Sequence, residues 1–322
     1  MMISILLIVL VVFFSINMGG GNFAASFAAA HGGRILSKRR AQLLFLIFVI
    51  IGAVLLGGEV AKTIGNNIVP SEVLTPGNVC IMLFSASFSL FVANLLRIPQ
   101  STSFVTVGSL FGIGLFHNQY YSATFFRLLP FWIFMPVAGF LLTYLVGRVI
   151  YPPRASNFRL FEKLVNHHVW LKRFVIIASC YNALSVGSNN VANAVGPLVG
   201  AGVASPVIGM LLLAPVFGMG SVVFDQSLTS TSEKIVPLGV ITASIICTVC
   251  GTLMIFASVF GIPQSFVMIK VASVVAIGVL KNGYTETLRN PIIRKTYTAW
   301  IITPSLAVAV SYLLSWLKHT FF

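Results

Sequence analysis

The tetrapeptide Ile98-Pro99-Gln100-Ser101 returns later in the chain as Ile262-Pro263-Gln264-Ser265, 164 positions further on. Identical residues continue downstream of both copies at the same offset, at Val107 and Val271, Ser109 and Ser273, Ile113 and Ile277, and Gly114 and Gly278. A second motif repeats with nearly the same spacing, since Gly19, Asn22 and Ala24 return 168 positions later as Gly187, Asn190 and Ala192. Two separate motifs with nearly equal offsets predict that the chain consists of two related halves.

The composition places both halves in a membrane. Of 322 residues, 57% are hydrophobic and only 8% are charged, whereas soluble proteins carry about 25% charged residues. Roughly ten apolar stretches are candidate membrane helices, at 2–17, 41–61, 78–97, 99–116, 125–150, 174–188, 207–224, 235–260, 263–281 and 296–317. We therefore expect an all-α integral membrane protein with about ten to twelve membrane helices, surrounded by lipid and without a nucleic-acid partner.

The basic residues indicate how the chain crosses the membrane. Most of the 20 Lys and Arg residues cluster in three regions, at 34–40, 148–173 and 281–295. Basic loops are retained on the cytoplasmic side, so this pattern predicts a multi-pass protein of the cell membrane with both termini outside. About five spans in each half then give the halves opposite orientations. The resulting prediction is two inverted repeats, 1–150 and 174–322, joined by a cytoplasmic linker at 151–173.

A short apolar helix that runs into Gly19-Gly20-Gly21 is typical of a broken membrane helix. Inverted repeats with broken or re-entrant helices are the architecture of secondary transporters, which bind substrate near the bilayer midplane where the repeats meet. The repeat therefore favours transport over a passive anion channel or a membrane-embedded enzyme. An enzyme of that kind usually needs clustered carboxylates for a metal ion, and the chain has only 6 Asp and Glu residues. We expect no catalytic residue, metal or cofactor.

Hydroxyl side chains follow the repeated prolines, at positions where helices are expected to begin. Ser101, Thr102 and Ser103 follow Pro99, and Ser265 follows Pro263. Proline suits the first turn of a helix, and the unpaired N–H groups of a helix N-terminus bind anions. One such copy could simply cap a membrane helix, but two related copies in opposed halves favour an anion-binding site.

Asparagines accompany the glycines of the second repeated motif. Asn22 follows the first glycine cluster, while Asn190 and Asn193 follow Gly187. Amide side chains supply both donors and acceptors to a ligand, whereas glycines alone could serve close helix packing. The asparagines at this depth of the membrane indicate a binding site that includes Asn22, Asn190 and Asn193.

These motifs resemble those of a known family. Ser188-Asn-Asn-Val-Ala-Asn-Ala194 is similar to the signature G-A-N-D-V-A-N-A of the inorganic phosphate transporter (PiT) family, and Pro99-Gln-Ser-Thr-Ser103 resembles its P-x-S-T-T element. Gly57-Gly-Glu-Val-Ala-Lys-Thr-Ile-Gly65 resembles the stretch after the first signature. The resemblance covers nearly the whole chain. It implies one anion site lined by both kinds of motif, sodium bound nearby, a homodimer, and alternating access by movement of a core against a scaffold.

The departures from the family pattern bear on the substrate. The signature aspartate is replaced by Asn22 in the first copy and by Asn190 in the second, which argues against the sodium site. Phosphate near neutral pH still carries protons and benefits from an acidic acceptor, whereas sulfate has no proton to donate and an aspartate would repel it. The stretches Asn189–Val199 and Ile277–Gly283 resemble the bacterial sulfate permease branch of the family. We therefore expect proton-coupled sulfate import, with sodium-coupled phosphate transport as the alternative.

Three ionisable residues are candidates for charge or proton coupling. Lys270 is expected within a span, where it would supply the positive charge of a missing sodium ion; alternatively, it extends to the cytoplasmic surface. Glu59 is a candidate coupling carboxylate if it is buried, and is otherwise solvated. His31 follows the first signature and could relay a proton.

Overall fold

The computed structural model describes residues 2–95, 101–223 and 235–321. Residues 98–100 of the first repeated tetrapeptide, including Pro99, lie outside this range. In the described part of the chain there are fourteen helices and no strand. They are α1 (Met2–Gly32), α2 (Lys38–Leu56), α3 (Gly58–Asn66), α4 (Pro76–Leu95), α5 (Thr102–His117), α6 (Ser122–Ile150), α7 (Phe158–Asn166), α8 (His168–Asn190), α9 (Ala192–Gly200), α10 (Pro206–Val223), α11 (Val240–Val259), α12 (Phe266–Asn282), α13 (Tyr284–Leu288) and α14 (Pro291–Phe321).

Among the described residues, eight helical segments are long and apolar enough to cross a membrane. They lie in α1, α2, α4, α6, α8 with α9, α10, α11 and α14, and α5 is a shorter apolar helix. The all-α, multi-pass membrane fold is therefore confirmed. The expected span 41–61 is divided at Gly57 into α2 and α3. The polar stretch 151–173 contains α7 and the beginning of α8.

A helix interruption occurs at the second asparagine motif but not at the first. Helix α8 ends at Asn190 and α9 begins at Ala192, with Val191 between them. Helix α1, in contrast, is continuous from Met2 to Gly32, so the break expected at Gly19-Gly20-Gly21 is wrong. Glycine costs a helix only about 1 kcal/mol per residue, and close packing against a neighbouring helix outweighs that cost here.

Glycines let two pairs of helices cross with their backbones nearly touching. A Cβ added at any of four glycines would collide with a carbonyl oxygen on the partner helix: Gly19 with Phe217, Gly220 with Ile16, Gly187 with Val49, and Gly52 with Leu184. The first two contacts join α1 to α10, and the last two join α8 to α2. Each residue of the second crossing lies 168 positions from its equivalent in the first, so the same crossing occurs twice.

The helices that follow the repeated hydroxyl motifs are enclosed by the rest of the bundle. Helix α5 packs against α14, where a Cβ on Gly108 would lie 2.9 Å from the carbonyl oxygen of Pro304. Helix α12 packs against α6, where a Cβ on Gly139 would lie 2.9 Å from the side chain of Ile269. Nearly every residue in the first three turns of α5 and α12 is buried. Both helices therefore begin inside the protein.

Candidate functional site

The beginnings of α5 and α12 are capped in the same way and joined to each other. The Ser101 hydroxyl accepts a hydrogen bond from the N–H of Phe104 at 3.2 Å, and that of Ser265 accepts one from the N–H of Met268 at 3.3 Å. Ser103 then donates from Oγ to the carbonyl of Gln264 at 3.0 Å. Capping thus accounts for the positions of Ser101 and Ser265. Because two helix N-termini meet at one buried place, their positive dipole ends act together there.

Helix α9 adds an amide to this junction. Asn193 donates from Nδ2 to Ser103 Oγ at 3.1 Å and lies 3.4 Å from Thr102 Oγ1. Ser103 and Asn193 are completely buried. The structure therefore brings together Thr102, Ser103 and Asn193, as the sequence predicts.

The two equivalent asparagines of the repeated motif form a direct hydrogen bond. Asn190 donates from Nδ2 to Asn22 Oδ1 at 2.9 Å, and Asn22 donates from its own Nδ2 to the carbonyl of Met18 at 2.8 Å. Both side chains are buried. Two aspartates at this separation would have to share a proton or bind a cation between them, whereas two amides are stable together without either.

Asn189 is a site residue that sequence reasoning missed. It donates from Nδ2 to the carbonyl of Ile262 at 2.9 Å and to Ser258 Oγ at 3.1 Å, and it accepts at Oδ1 from the N–H of Gln264 at 2.9 Å. Ser258 lies in the last turn of α11, and Ile262 and Gln264 lie in the segment that leads into α12. Asn189 therefore positions the N-terminus of α12, and the available signal was a second asparagine directly before Asn190.

Asn189→Ala is expected to raise the KM for the transported anion by about tenfold, because the N–H of Gln264 and the carbonyl of Ile262 lose their buried partners, which costs about 2–3 kcal/mol. Uptake kinetics in proteoliposomes would measure the change in KM, and the melting temperature would measure the loss of stability. Asn66→Ala, at an exposed position at the end of α3, is the matched control. An unchanged KM in Asn189→Ala would show that this side chain does not position α12.

Two buried amide oxygens at the helix interruption have no hydrogen-bond partner among the described residues. They are Asn190 Oδ1 and Asn193 Oδ1. The neighbouring hydrogen bonds determine how these two amide groups are oriented. The amide nitrogen of Asn22 is directed at Met18, so its oxygen faces Asn190 and accepts from the Asn190 nitrogen. The single hydrogen of the Ser103 hydroxyl is directed at Gln264, so Ser103 can only accept from the Asn193 nitrogen. Water, a cation or a proton-bearing ligand could satisfy these oxygens. Both amide atoms of the buried Gln264 side chain also lack a partner in the part of the chain that the structure describes.

Lys270 lies near the asparagine pair and contacts the next turn of α1. Its amine donates to the carbonyl of Ala25 at 2.7 Å, and the residue is only 7% exposed. Ala25 lies one helical turn beyond Asn22 on α1. The alternative in which Lys270 extends to the cytoplasmic surface therefore does not describe this structure.

The structure does not bring Glu59 or His31 to the asparagine and hydroxyl cluster. Glu59 is exposed and pairs with Lys62 on the same helix at 2.7 Å, because the opposite face of α3, with Val60, Ala61 and Ile64, packs inward. Of the two alternatives for Glu59, the structure therefore shows the exposed one. His31 lies in the last turn of α1, where a ring nitrogen is 3.3 Å from the carbonyl oxygen of Leu36.

A multi-pass helical bundle with two helix N-termini facing a buried amide and hydroxyl cluster defines a class, the membrane transporters of inorganic anions, rather than an enzyme. Comparison with known proteins agrees: residues 18–311 match the model of the phosphate transporter family. The chain belongs to that family, which confirms the resemblance seen in its motifs.

Individual relatives are named for two different anions. The chain is 34% identical over 275 residues to the sulfate permease CysP of Bacillus subtilis, covering 85% of this chain and 76% of that protein. It is 27% identical over 148 residues to inorganic phosphate transporter 2-1, chloroplastic, of Arabidopsis thaliana, covering 42% of this chain and 24% of that one. A solved structure of a sodium-dependent phosphate transporter has the same fold, with a TM-score of 0.85, 22% identity and 100% of both chains covered.

Proposed function

We propose that this protein imports sulfate together with protons, by alternating access to the buried site between α5, α9 and α12. The observation that carries the proposal is the neutral Asn22–Asn190 pair, which leaves the described part of the site without a carboxylate. The site residues in this proposal are Asn22, Ser101, Thr102, Ser103, Asn190, Asn193, Ser265 and Lys270. The similarity to a protein named a sulfate permease supports the choice of anion.

The chemistry of the site suits an anion that accepts hydrogen bonds and donates none. Two helix N-termini supply backbone N–H groups, and Thr102 and Ser103 add hydroxyls that can rotate toward a ligand oxygen. Lys270, whose amine binds the carbonyl of Ala25 one helical turn beyond Asn22, contributes positive charge without a bound sodium ion. These donors stabilise a bound dianion.

The proposed coupling to protons answers the electrical cost of import. Moving one negative charge against an inside-negative potential costs about 2.3 kcal/mol per 100 mV, so accumulation of a dianion requires co-transported positive charge. Of the two coupling candidates, His31 is the one proposed, since Glu59 is exposed and paired with Lys62. Because His31 does not contact the central cluster, it would act away from the bound anion rather than by protonating it.

The architecture in this proposal consists of inverted repeats 1–150 and 174–322, with 151–173 as a cytoplasmic linker and both termini outside the cell. The glycine crossings that recur at an offset of 168 support the repeat, and the three basic regions support the orientation. A homodimer is carried over from the family resemblance.

Sodium-coupled phosphate transport is the second candidate, and a specific observation favours it. Asn190 Oδ1 and Asn193 Oδ1 are acceptors without partners among the described residues. A proton-bearing phosphate could donate to them, and neutral amide oxygens are also suitable ligands for a sodium ion. A relative named a phosphate transporter is consistent with this candidate.

Uptake of labelled anions into proteoliposomes separates the candidates. We expect sulfate uptake without sodium, stimulated by an inward proton gradient and not inhibited by excess phosphate. Accumulation beyond the electrochemical equilibrium distinguishes a coupled transporter from an anion channel. Sodium-dependent phosphate uptake that sulfate fails to inhibit would overturn the sulfate assignment and establish the second candidate.

A further inference from the structure

Gln264 lies directly before the residue that caps α12, and two other helices hold its backbone there. Its N–H donates to Asn189 Oδ1 of α8 at 2.9 Å, and its carbonyl accepts from Ser103 Oγ of α5 at 3.0 Å. Ser103 in turn accepts from Asn193 Nδ2 of α9 at 3.1 Å. The backbone of Gln264 is therefore fixed beside the hydroxyl and amide groups of the candidate anion site.

The side chain of Gln264, in contrast, forms no hydrogen bond with the described residues. It is completely buried, and neither Nε2 nor Oε1 has a partner there. Gln42 shows the usual arrangement, since its Nε2 donates to the carbonyl of Ser221 at 2.8 Å. An unpaired buried amide destabilises a fold, because its atoms lose their hydrogen bonds to water. Stability therefore does not account for a glutamine rather than an apolar side chain at this position.

The nitrogen of this amide is a donor that an anion can use. Asn190 Oδ1 and Asn193 Oδ1, which also lack partners among the described residues, are acceptors and offer an anion no hydrogen. The hydrogen of the Ser103 hydroxyl is directed at the Gln264 carbonyl. Gln264 Nε2, in contrast, carries two hydrogens for which the described residues provide no acceptor. Because its amide is bound on neither side, it can turn this nitrogen toward a ligand.

We propose that Gln264 is a ligand of the transported oxyanion and binds it through Nε2. This role rests on the proposed anion transport and adds an uncharged donor to the site. The backbone hydrogen bonds to Asn189 and Ser103 hold the residue in place, while the side-chain nitrogen binds the anion and the amide oxygen takes no part. The anion thereby supplies the partner that the described residues do not give to this buried nitrogen.

Gln264→Met tests this role, because methionine is similar in length and has no amide to leave unpaired. The sulfate affinity measured by calorimetric titration, and the KM of uptake, should weaken by about tenfold or more, since a hydrogen bond to a charged ligand is lost. The melting temperature without sulfate should stay the same or rise, because the variant no longer buries an unsatisfied amide. A side chain that only supports the fold would give the opposite result, with a lower melting temperature and an unchanged affinity.

Gln42→Met is the matched control, since Gln42 binds the carbonyl of Ser221 in α10 and is not a residue of the site. It should lower the melting temperature and leave the sulfate affinity unchanged. Gln264→Glu is the second variant, because it keeps the shape of the side chain but replaces Nε2 with an oxygen. Its sulfate affinity at alkaline pH should fall at least as far as that of Gln264→Met. A lower pH should recover part of the loss, because a protonated carboxyl again has a hydrogen to donate.

The outcomes separate the role of Gln264 from the proposed function. If Gln264→Met binds sulfate as tightly as the wild type does, Gln264 is not a ligand. If its affinity and its melting temperature both fall, recovery of Gln264→Glu at lower pH supports the role, and no recovery overturns it. If the wild type binds phosphate instead of sulfate, and Gln264→Met weakens that binding, the role stands and the sulfate assignment fails.

Discussion

Asn190→Asp is expected to reduce sulfate uptake by about 100-fold. A carboxylate at this position would lose the donor that now binds Asn22 Oδ1 and place a negative charge near a bound dianion. Two unit charges about 4 Å apart repel each other by about 4 kcal/mol at an effective dielectric constant of 20, so even partial screening leaves a large loss. Initial rates of labelled sulfate uptake at subsaturating sulfate measure this effect.

Asn67→Asp adds the same charge at an exposed position at the end of α3 and is expected to transport normally. Asn22→Asp should behave like Asn190→Asp, because the two asparagines are equivalent members of one hydrogen-bonded pair. Normal sulfate uptake by either site variant would mean that the neutral pair does not determine which anion binds.

Gly19→Ala is expected to destabilise the folded protein by about 3 kcal/mol or more. A Cβ at this position would collide with the backbone carbonyl of Phe217, and backbone atoms cannot rotate away as a side chain can. Helices α1 and α10 would have to separate, which would also disturb the site residue Asn22 one turn further on. The melting temperature in detergent and the yield of monodisperse protein measure the loss.

Gly21→Ala is the control within the same motif, because a Cβ at Gly21 meets nothing within 4 Å. Alanine is the better helix former by about 1 kcal/mol, so this variant should be as stable as the wild type or slightly more so. Gly187→Ala, at the equivalent crossing of α8 with α2, should be as destabilised as Gly19→Ala. Equal stability of Gly19→Ala and Gly21→Ala would contradict the close crossing.

The helical membrane fold and the centre of the candidate site could be predicted from the sequence because both depend on local patterns. Apolar length predicts spans, and repeated motifs predict that their equivalent residues meet, as Asn22 and Asn190 do. The continuity of α1 could not be predicted in this way. Whether a glycine cluster breaks a helix or packs it closely depends on the neighbour, and the partner of Gly19 is nearly 200 residues away in the chain.

The roles of individual polar residues could not be predicted from sequence spacing, because they depend on contacts with residues that are distant in the chain. Asn189 and Asn190 are adjacent in sequence, yet one binds the segment before α12 and the other binds α1. The sequence left open whether Glu59, beside two glycines, is buried or solvated, and the answer depends on the face of α3 that packs inward, which lies opposite Glu59. For Lys270 the sequence predicted a span, whereas its hydrogen bond to the carbonyl of Ala25 depends on where the bundle places α12 relative to α1.

The most direct test is calorimetric titration of sulfate into the purified protein in sodium-free buffer, repeated with excess phosphate present. A site built from amides, hydroxyls and helix N-termini should bind sulfate without sodium. Its affinity should not change with pH where phosphate changes its protonation, and phosphate should not displace sulfate. Sulfate binding that requires sodium, or that phosphate abolishes, would contradict the assignment of this neutral site to sulfate.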